Sequence, residues 1–120
     1  MKITDNLSTD EITCKCGCGF DKLDIKTARA FQKIRDIVGE PLIIASGCRC
    51  KKHNKAVGGA KNSYHVKGQA LDIDTPGGWE YGKFHHLCEN VIGIHGGVGY
   101  YNSHSFVHID TRGYKARWTM

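Results

Sequence analysis

His65 and Asp72 stand seven residues apart in SYHVKGQALDID (63–74), on either side of Gly68, and a second histidine, His108, lies in FVHIDT (106–111). Two imidazoles and one carboxylate form a donor set that suits a zinc ion. Three protein ligands leave the fourth position to a water, which is the arrangement of catalytic rather than structural sites. Zinc lowers the pKa of such a water towards ~7 and polarises a carbonyl, the chemistry of metal-assisted hydrolysis. The competing reading is plainer: the two histidines are ordinary surface or core residues and Asp72 belongs to a turn, since such spacings also occur without a metal.

The elements that must position these residues can be read from periodicity. QALDID (69–74) and FVHIDT have strand character. Period-2 geometry puts Ala70, Asp72 and Asp74 on one face of the first. In the second it puts His108 and Asp110 towards a cleft, with Val107 and Ile109 towards the core. If the two strands are neighbours, Asp72 and His108 converge, and His65 folds back ahead of the Gly68 turn to join them.

Upstream, DKLDIKTARAFQKIRDIV (21–38) carries apolar side chains at Leu23, Ala28, Phe31, Ile34, Ile37 and Val38. That is helical spacing, with Asp21 or Asp24 as the N-cap and Gly39 then Pro41 as the stop. LIIAS (42–46) is a continuous apolar run and reads as a buried strand. A short helical turn is expected over 51–57, a helix over 79–90 and a further strand in GVGYY (97–101). The layout predicts an α+β fold, a small antiparallel or mixed sheet with helices packed on one side.

At 120 residues the chain is expected to form a single domain over 1–120, with a cysteine-rich segment at 1–20 packed on it. No apolar run approaches the ~20 residues of a membrane span, so no membrane insertion is expected. MKITDNLSTDE lacks the apolar stretch of a secretory signal, which predicts synthesis in the cytoplasm without a signal peptide. Seventeen Lys and Arg against twelve Asp and Glu give a net charge of +5, suited to an anionic polymer. The basic residues are scattered, Lys51-Lys52 being the densest point, so no nucleic-acid partner is expected.

Five of six cysteines fall in two tight groups, CKCGC (14–18) and CRC (48–50). Cys14, Cys16, Cys18 and Cys50 could supply a structural metal site. Disulfides, if the protein works outside the cell, and free thiols in a reducing compartment are the other two readings. Cys88 reads as a buried helix residue.

SGCRCKKHNKAVGGAKNSYHVKGQALDID (46–74) resembles the signature of the D-Ala-D-Ala carboxypeptidase family of zinc peptidases. That family shares its fold with the lysostaphin, D-Ala-D-Ala peptidase and hedgehog group. The shared pattern is Ser-Gly-x-Arg, a His-Asn pair, a Gly-Gly turn and Ser-x-His-x-x-Gly-x-Ala-x-Asp. GGVGYYNSHSFVHIDTRGYKARW (96–118) resembles the C-terminal block of a small branch of it. With CKCGCGF, these stretches cover most of the chain.

The resemblance implies His65, Asp72 and His108 as ligands of one catalytic zinc. It implies Arg49 as the residue that binds a substrate carboxylate or stabilises the oxyanion, a role suited to a permanently charged two-pronged guanidinium. Ser63 aligns with a serine that helps hold the substrate carboxylate, although turn chemistry would also explain it. The chain departs from the pattern at Ser105, where many relatives carry a Glu or Asp general base. Asp110 is the first substitute and His104 the second; Asp110 could equally orient a zinc histidine. The implied function is hydrolysis of peptide bonds in peptidoglycan stems or cross-links by a monomer acting at the cell wall or periplasm. A phage endolysin is one such setting. The alternative is a zinc-bearing module without activity, such as a phage tail component.

Overall fold

Thr27, Ala28, Phe31 and Ile34 make the buried face of α2 (Ile25–Val38), at the i, i+1, i+4, i+7 spacing that keeps side chains on one stripe of a helix. The side chain of Asp24 caps its first turn by accepting from the Lys26 N–H, and Gly39 ends it in the left-handed conformation at φ 77°. Ile37 falls off the stripe and is exposed, contrary to its place in the expected apolar set. The computed structural model to which this helix belongs describes residues 1–101 and 105–120.

Ahead of α2 lie a two-strand hairpin, β1 (Lys2–Thr4) with β2 (Leu7–Ser8), and a single helical turn, α1 (Thr9–Ile12). After it come β3 (Ile44–Ser46), α3 (Lys51–Ala56), β4 (Ala70–Asp74), α4 (Tyr81–Ile92) and a 3₁₀ turn at Gly93–His95. Three strands close the chain: β5 (Gly97–Tyr100), β6 (Phe106–Asp110) and β7 (Ala116–Thr119). The main sheet has the order β3-β4-β6-β5-β7, antiparallel throughout except for the parallel β5–β7 pair. The fold is α+β with a mixed sheet.

Leu71 and Ile73 of β4, Val107 and Ile109 of β6 and Val98 of β5 are fully buried on one sheet face. They pack with Phe31 and Ile34 of α2 and with Phe84 and Cys88 of α4. Full burial of such a side chain contributes about 1.5–3 kcal/mol, so this layer anchors the strands. The opposite face carries Ala70, Asp72, His108 and Asp110, which leaves it free for polar chemistry.

Two expectations need correction. LIIAS reads as a buried strand, but β3 takes in only Ile44–Ser46, lies at the sheet edge and is half-buried along its length, and Ile43 just ahead of it is 68% exposed. The hairpin at the N-terminus and β7 have no counterpart in the sequence reading, because both are short and half-exposed and carry no alternating pattern.

Gly68 adopts φ +69°, and a Cβ there would lie 2.0 Å from the Lys22 carbonyl oxygen. Its own carbonyl accepts from the Asp24 N–H at 2.7 Å, so the loop bearing His65 is fastened to the start of α2. Gly68→Ala should lower stability by about 1–3 kcal/mol from backbone strain alone, with the clash adding to it. Urea unfolding measures this as a lower midpoint.

Candidate metal centre

β4 and β6 are adjacent and in a register that sets Asp72 directly opposite His108. Side chains across an antiparallel pair project from the same face, so the carboxylate and the imidazole meet without any further device. His108 Nδ1 lies 3.0 Å from Asp72 Oδ1, and His65 Nε2 lies 3.2 Å from that same oxygen. One donor atom from each of the three residues falls within 4.8 Å of the others. All three residues are buried.

Each ring nitrogen that turns away from this point has its own acceptor. His65 Nδ1 donates to the Gly47 carbonyl at 2.7 Å, and His108 Nε2 donates to Asp110 Oδ2 at 2.8 Å. With its outer nitrogen committed to a fixed acceptor, each ring is held so that its inner nitrogen points at Asp72, and loss of the proton shared there would free that nitrogen for a metal. Burial favours neutral Asp72, but the bonds from His108 and His65 outweigh it and hold the carboxyl well below the usual carboxylate range. For His108, burial is likewise outweighed by the carboxylates of Asp110 and Asp72, which raise its pKa. The centre therefore favours positive charge between two fixed rings and a carboxylate, and the donor set fits zinc.

Asp110 stands on the outer side of His108. It is fully buried, and its carboxylate accepts from Gly97 N–H, from the Arg112 backbone N–H and from the Arg112 guanidinium at 2.9 and 2.7 Å, besides His108. A general base needs an oxygen that reaches the reacting water. Both oxygens of Asp110 are engaged and the residue does not line the cleft, so its geometry departs from the proton-shuttle role expected of it. Its geometry is that of a carboxylate that orients a metal-binding histidine. Arg112 and His108 hold its carboxyl far below the ordinary range against the opposing effect of burial.

The centre opens into a cleft of about 750 Å³. Arg49 lies on its wall with Nη2 3.3 Å from Asp72 Oδ2, Nη1 3.1 Å from Asn54 Oδ1 and Nε 3.0 Å from Ser46 Oγ. These three acceptors hold the guanidinium beside the point where His65, Asp72 and His108 meet rather than out in solvent. Ser63 also lines the cleft, and its Oγ accepts from the His65 N–H at 3.2 Å, which is turn chemistry at the ligand itself. His104 lies outside the described residues. Among the described residues lining the cleft, Asp72 is the only carboxylate.

Sequence reasoning missed three contributors. Asn54, buried in α3, fixes both Arg49 and the Ala60 carbonyl. Arg112 seals Asp110 and stacks over Tyr64, its guanidinium carbon 4.4 Å from the ring centre. Trp118 of β7 covers His108 at 5.0 Å between ring centres. The signal for Arg112 was present: it follows His108 and Asp110 at a further spacing of two.

A family description, Peptidase M15, matches residues 5–110, which takes in every ligand candidate and Arg49. The chain belongs to the peptidase M15 family. Among curated relatives, the peptidoglycan L,D-endopeptidase MepK of Escherichia coli (strain K12) is 37% identical over 78 residues. That match covers 60% of this chain and 41% of the relative. The probable peptidoglycan L,D-endopeptidase MepK of Haemophilus influenzae is 40% identical over 60 residues, 50% of this chain and 31% of the relative. This M15 chain thus spans less than half the length of either.

Away from the centre, the Sγ atoms of Cys14, Cys16, Cys18 and Cys50 also come within 4.8 Å of one another. Cys88 is fully buried in α4, and burial raises its thiol pKa strongly. His85 pairs loosely with Glu89 on the surface of the same helix. Among the described residues no helix is long and apolar enough to cross a membrane.

Proposed function

We propose that the chain hydrolyses peptide bonds in the stem peptides or cross-links of peptidoglycan, using a zinc ion held by His65 Nε2, Asp72 and His108 Nδ1. The observation that carries this reading is the convergence of three buried donors at the floor of an open cleft, each histidine fixed by an outer acceptor. The names of the curated relatives supply the substrate class. When bound, zinc supplies Lewis acidity that polarises a carbonyl and activates water.

The protein's own residues do the rest. Gly47 and Asp110 keep both imidazoles in their ligating orientation. Arg49, beside Asp72, meets either the developing oxyanion or a carboxylate of the stem peptide, and Ser63 adds a second contact to that group. Tyr64, Tyr101 and Trp118 give the cleft walls against which a peptide can lie. With Asp110 sealed, proton transfer falls to His104, which the sequence sets between the cleft residues Tyr101 and Phe106. A second ion, structural in kind, belongs to Cys14, Cys16, Cys18 and Cys50. The protein acts as a monomer at the cell wall or periplasm, where its +5 charge favours approach to an anionic polymer.

One observation favours a second reading, a zinc-bearing binding module without activity: Ser105 replaces the usual carboxylate, and among the described residues the cleft offers no carboxylate side chain beyond Asp72. Digestion of purified peptidoglycan separates the two. Released peptides whose masses match cleaved stems or cross-links are expected; intact peptidoglycan beside a zinc-loaded protein would favour the module.

A further inference from the structure

The segment Gly47–Cys50 is fastened at both ends. Towards the centre, the Gly47 carbonyl accepts from His65 Nδ1 and the Arg49 N–H donates to the His65 carbonyl at 3.1 Å. Towards the N-terminal segment, the Cys48 N–H donates to the Ile12 carbonyl at 2.8 Å and the Cys50 N–H to Cys14 Sγ at 3.4 Å. The two layers touch closely, for a Cβ on Gly47 would lie 2.8 Å from the Ile12 backbone. Four residues of chain therefore join the thiol cluster to the orientation of a ligand histidine and of Arg49.

The cluster has the dimensions of a metal site. Cys14 Sγ is 3.5 Å from Cys16 Sγ, and Cys16 Sγ is 3.6 Å from Cys50 Sγ. Tetrahedral zinc with bonds of about 2.3 Å would set neighbouring sulfurs about 3.8 Å apart, within a few tenths of an ångström of what is found. Backbone donors already face the sulfurs: Cys50 N–H to Cys14 and His53 N–H to Cys50, the latter at 3.4 Å. Such donors offset thiolate charge in metal sites. Gly17 and Gly19, at φ 86° and 87°, turn the Cys-x-Cys-Gly-Cys-Gly run back on itself, and the Cys14 N–H closes it on the Phe20 carbonyl.

We propose that Cys14, Cys16, Cys18 and Cys50 bind one soft divalent cation of the zinc class, and that this ion positions the catalytic centre by holding Gly47–Cys50 in place. The proposal rests on the reading of His65, Asp72 and His108 as the catalytic zinc site. Cys50 joins the two sites, since it is both a thiol of the cluster and the neighbour of Arg49. The N-terminal segment is then a clamp for the centre and not only a cover for the core.

Cobalt(II) titration of the whole chain, stripped of metal and reduced, tests it. The wild type should take up two ions, one of them showing thiolate-to-cobalt charge-transfer absorption. In Cys16→Ser/Cys18→Ser, both at exposed positions, that absorption should vanish, and chelator competition should find the remaining site weakened roughly tenfold or more, the scale set by disturbed outer partners of a ligand. Cys18→His keeps a zinc-competent donor set and should restore both. If the double variant does not fold, Cys18→Ser alone, which leaves three thiolates, should weaken both the band and the affinity of the histidine site in the same direction. Absence of a thiolate band in the wild type overturns the site. Lost absorption with unchanged affinity at the histidine site overturns the positioning role. If these cobalt results hold but no peptidoglycan is cleaved, the proposed function fails and the clamp stands.

Discussion

His65→Ala should abolish hydrolysis of peptidoglycan while leaving the protein folded. His65 supplies one of the three proposed donors, and its inner nitrogen is aimed by the bond from Nδ1 to Gly47. Two donors do not retain a catalytic zinc at ordinary concentrations, so the loss should exceed the roughly 10²–10³-fold that accompanies removal of one transition-state hydrogen bond. The structural cost is smaller. The Gly47 carbonyl loses a partner, worth about 1–3 kcal/mol, against a total stability of about 5–15 kcal/mol for a domain. Asp72 keeps His108 and Arg49. Peptide release, zinc content and circular dichroism on the same preparation check this: activity and one zinc should go, and the spectrum should stay. Retained activity would remove His65 from the ligand set.

Asp110→Ala should be the most damaging single change for stability. It strips the acceptor from His108 Nε2, from the Gly97 N–H and from the Arg112 guanidinium, which is only 15% exposed. Breaking one side of a buried ion pair costs about 3–5 kcal/mol, a large part of the whole. Asp110→Asn is the sharper probe of role. It keeps the shape but turns a carboxylate that accepts five donors into a group that itself donates. An orienting role predicts a lower unfolding midpoint and roughly 10–100-fold weaker zinc binding. A proton-shuttle role predicts unchanged zinc affinity with activity lost. Denaturant unfolding and chelator competition on the variant distinguish them, and the weaker binding is expected.

A strand pattern contains enough to pair Asp72 with His108 and too little to show what surrounds Asp110. A period of two says which residues share a face, so His108 and Asp110 fell together, as did Asp72 and Ala70. It carries no information on register, which here is set by β4 and β6 lying side by side with Leu71 opposite Ile109 and Ile73 opposite Val107. Nor does it say what covers the face. Asp110 shares its side of β6 with His108, yet Arg112 and the Gly97 N–H close over it. The apolar run at 42–46 is deceptive for a related reason: only Ile44–Ser46 pair as a strand, and they are half-exposed because β3 is the last strand on its side. Helix α2 is legible because a capping aspartate and a glycine stop are local features, although the sequence offers Asp21 beside Asp24 and sets Ile37 on a stripe that it leaves. The thiol cluster was legible as a donor set, and its bond to the Arg49 segment emerges only when α1 and β3 are seen together.

Zinc reconstitution tests the central claim most directly. Metal-stripped protein is mixed with purified peptidoglycan, zinc is added in steps, and released peptides are measured by mass alongside metal content. Hydrolysis absent from the stripped protein should return in proportion to the filling of the His65–Asp72–His108 site, and Asp72→Ala should show no return. Equal release by the stripped protein, or none at full zinc occupancy, would contradict a zinc peptidase built on these three residues.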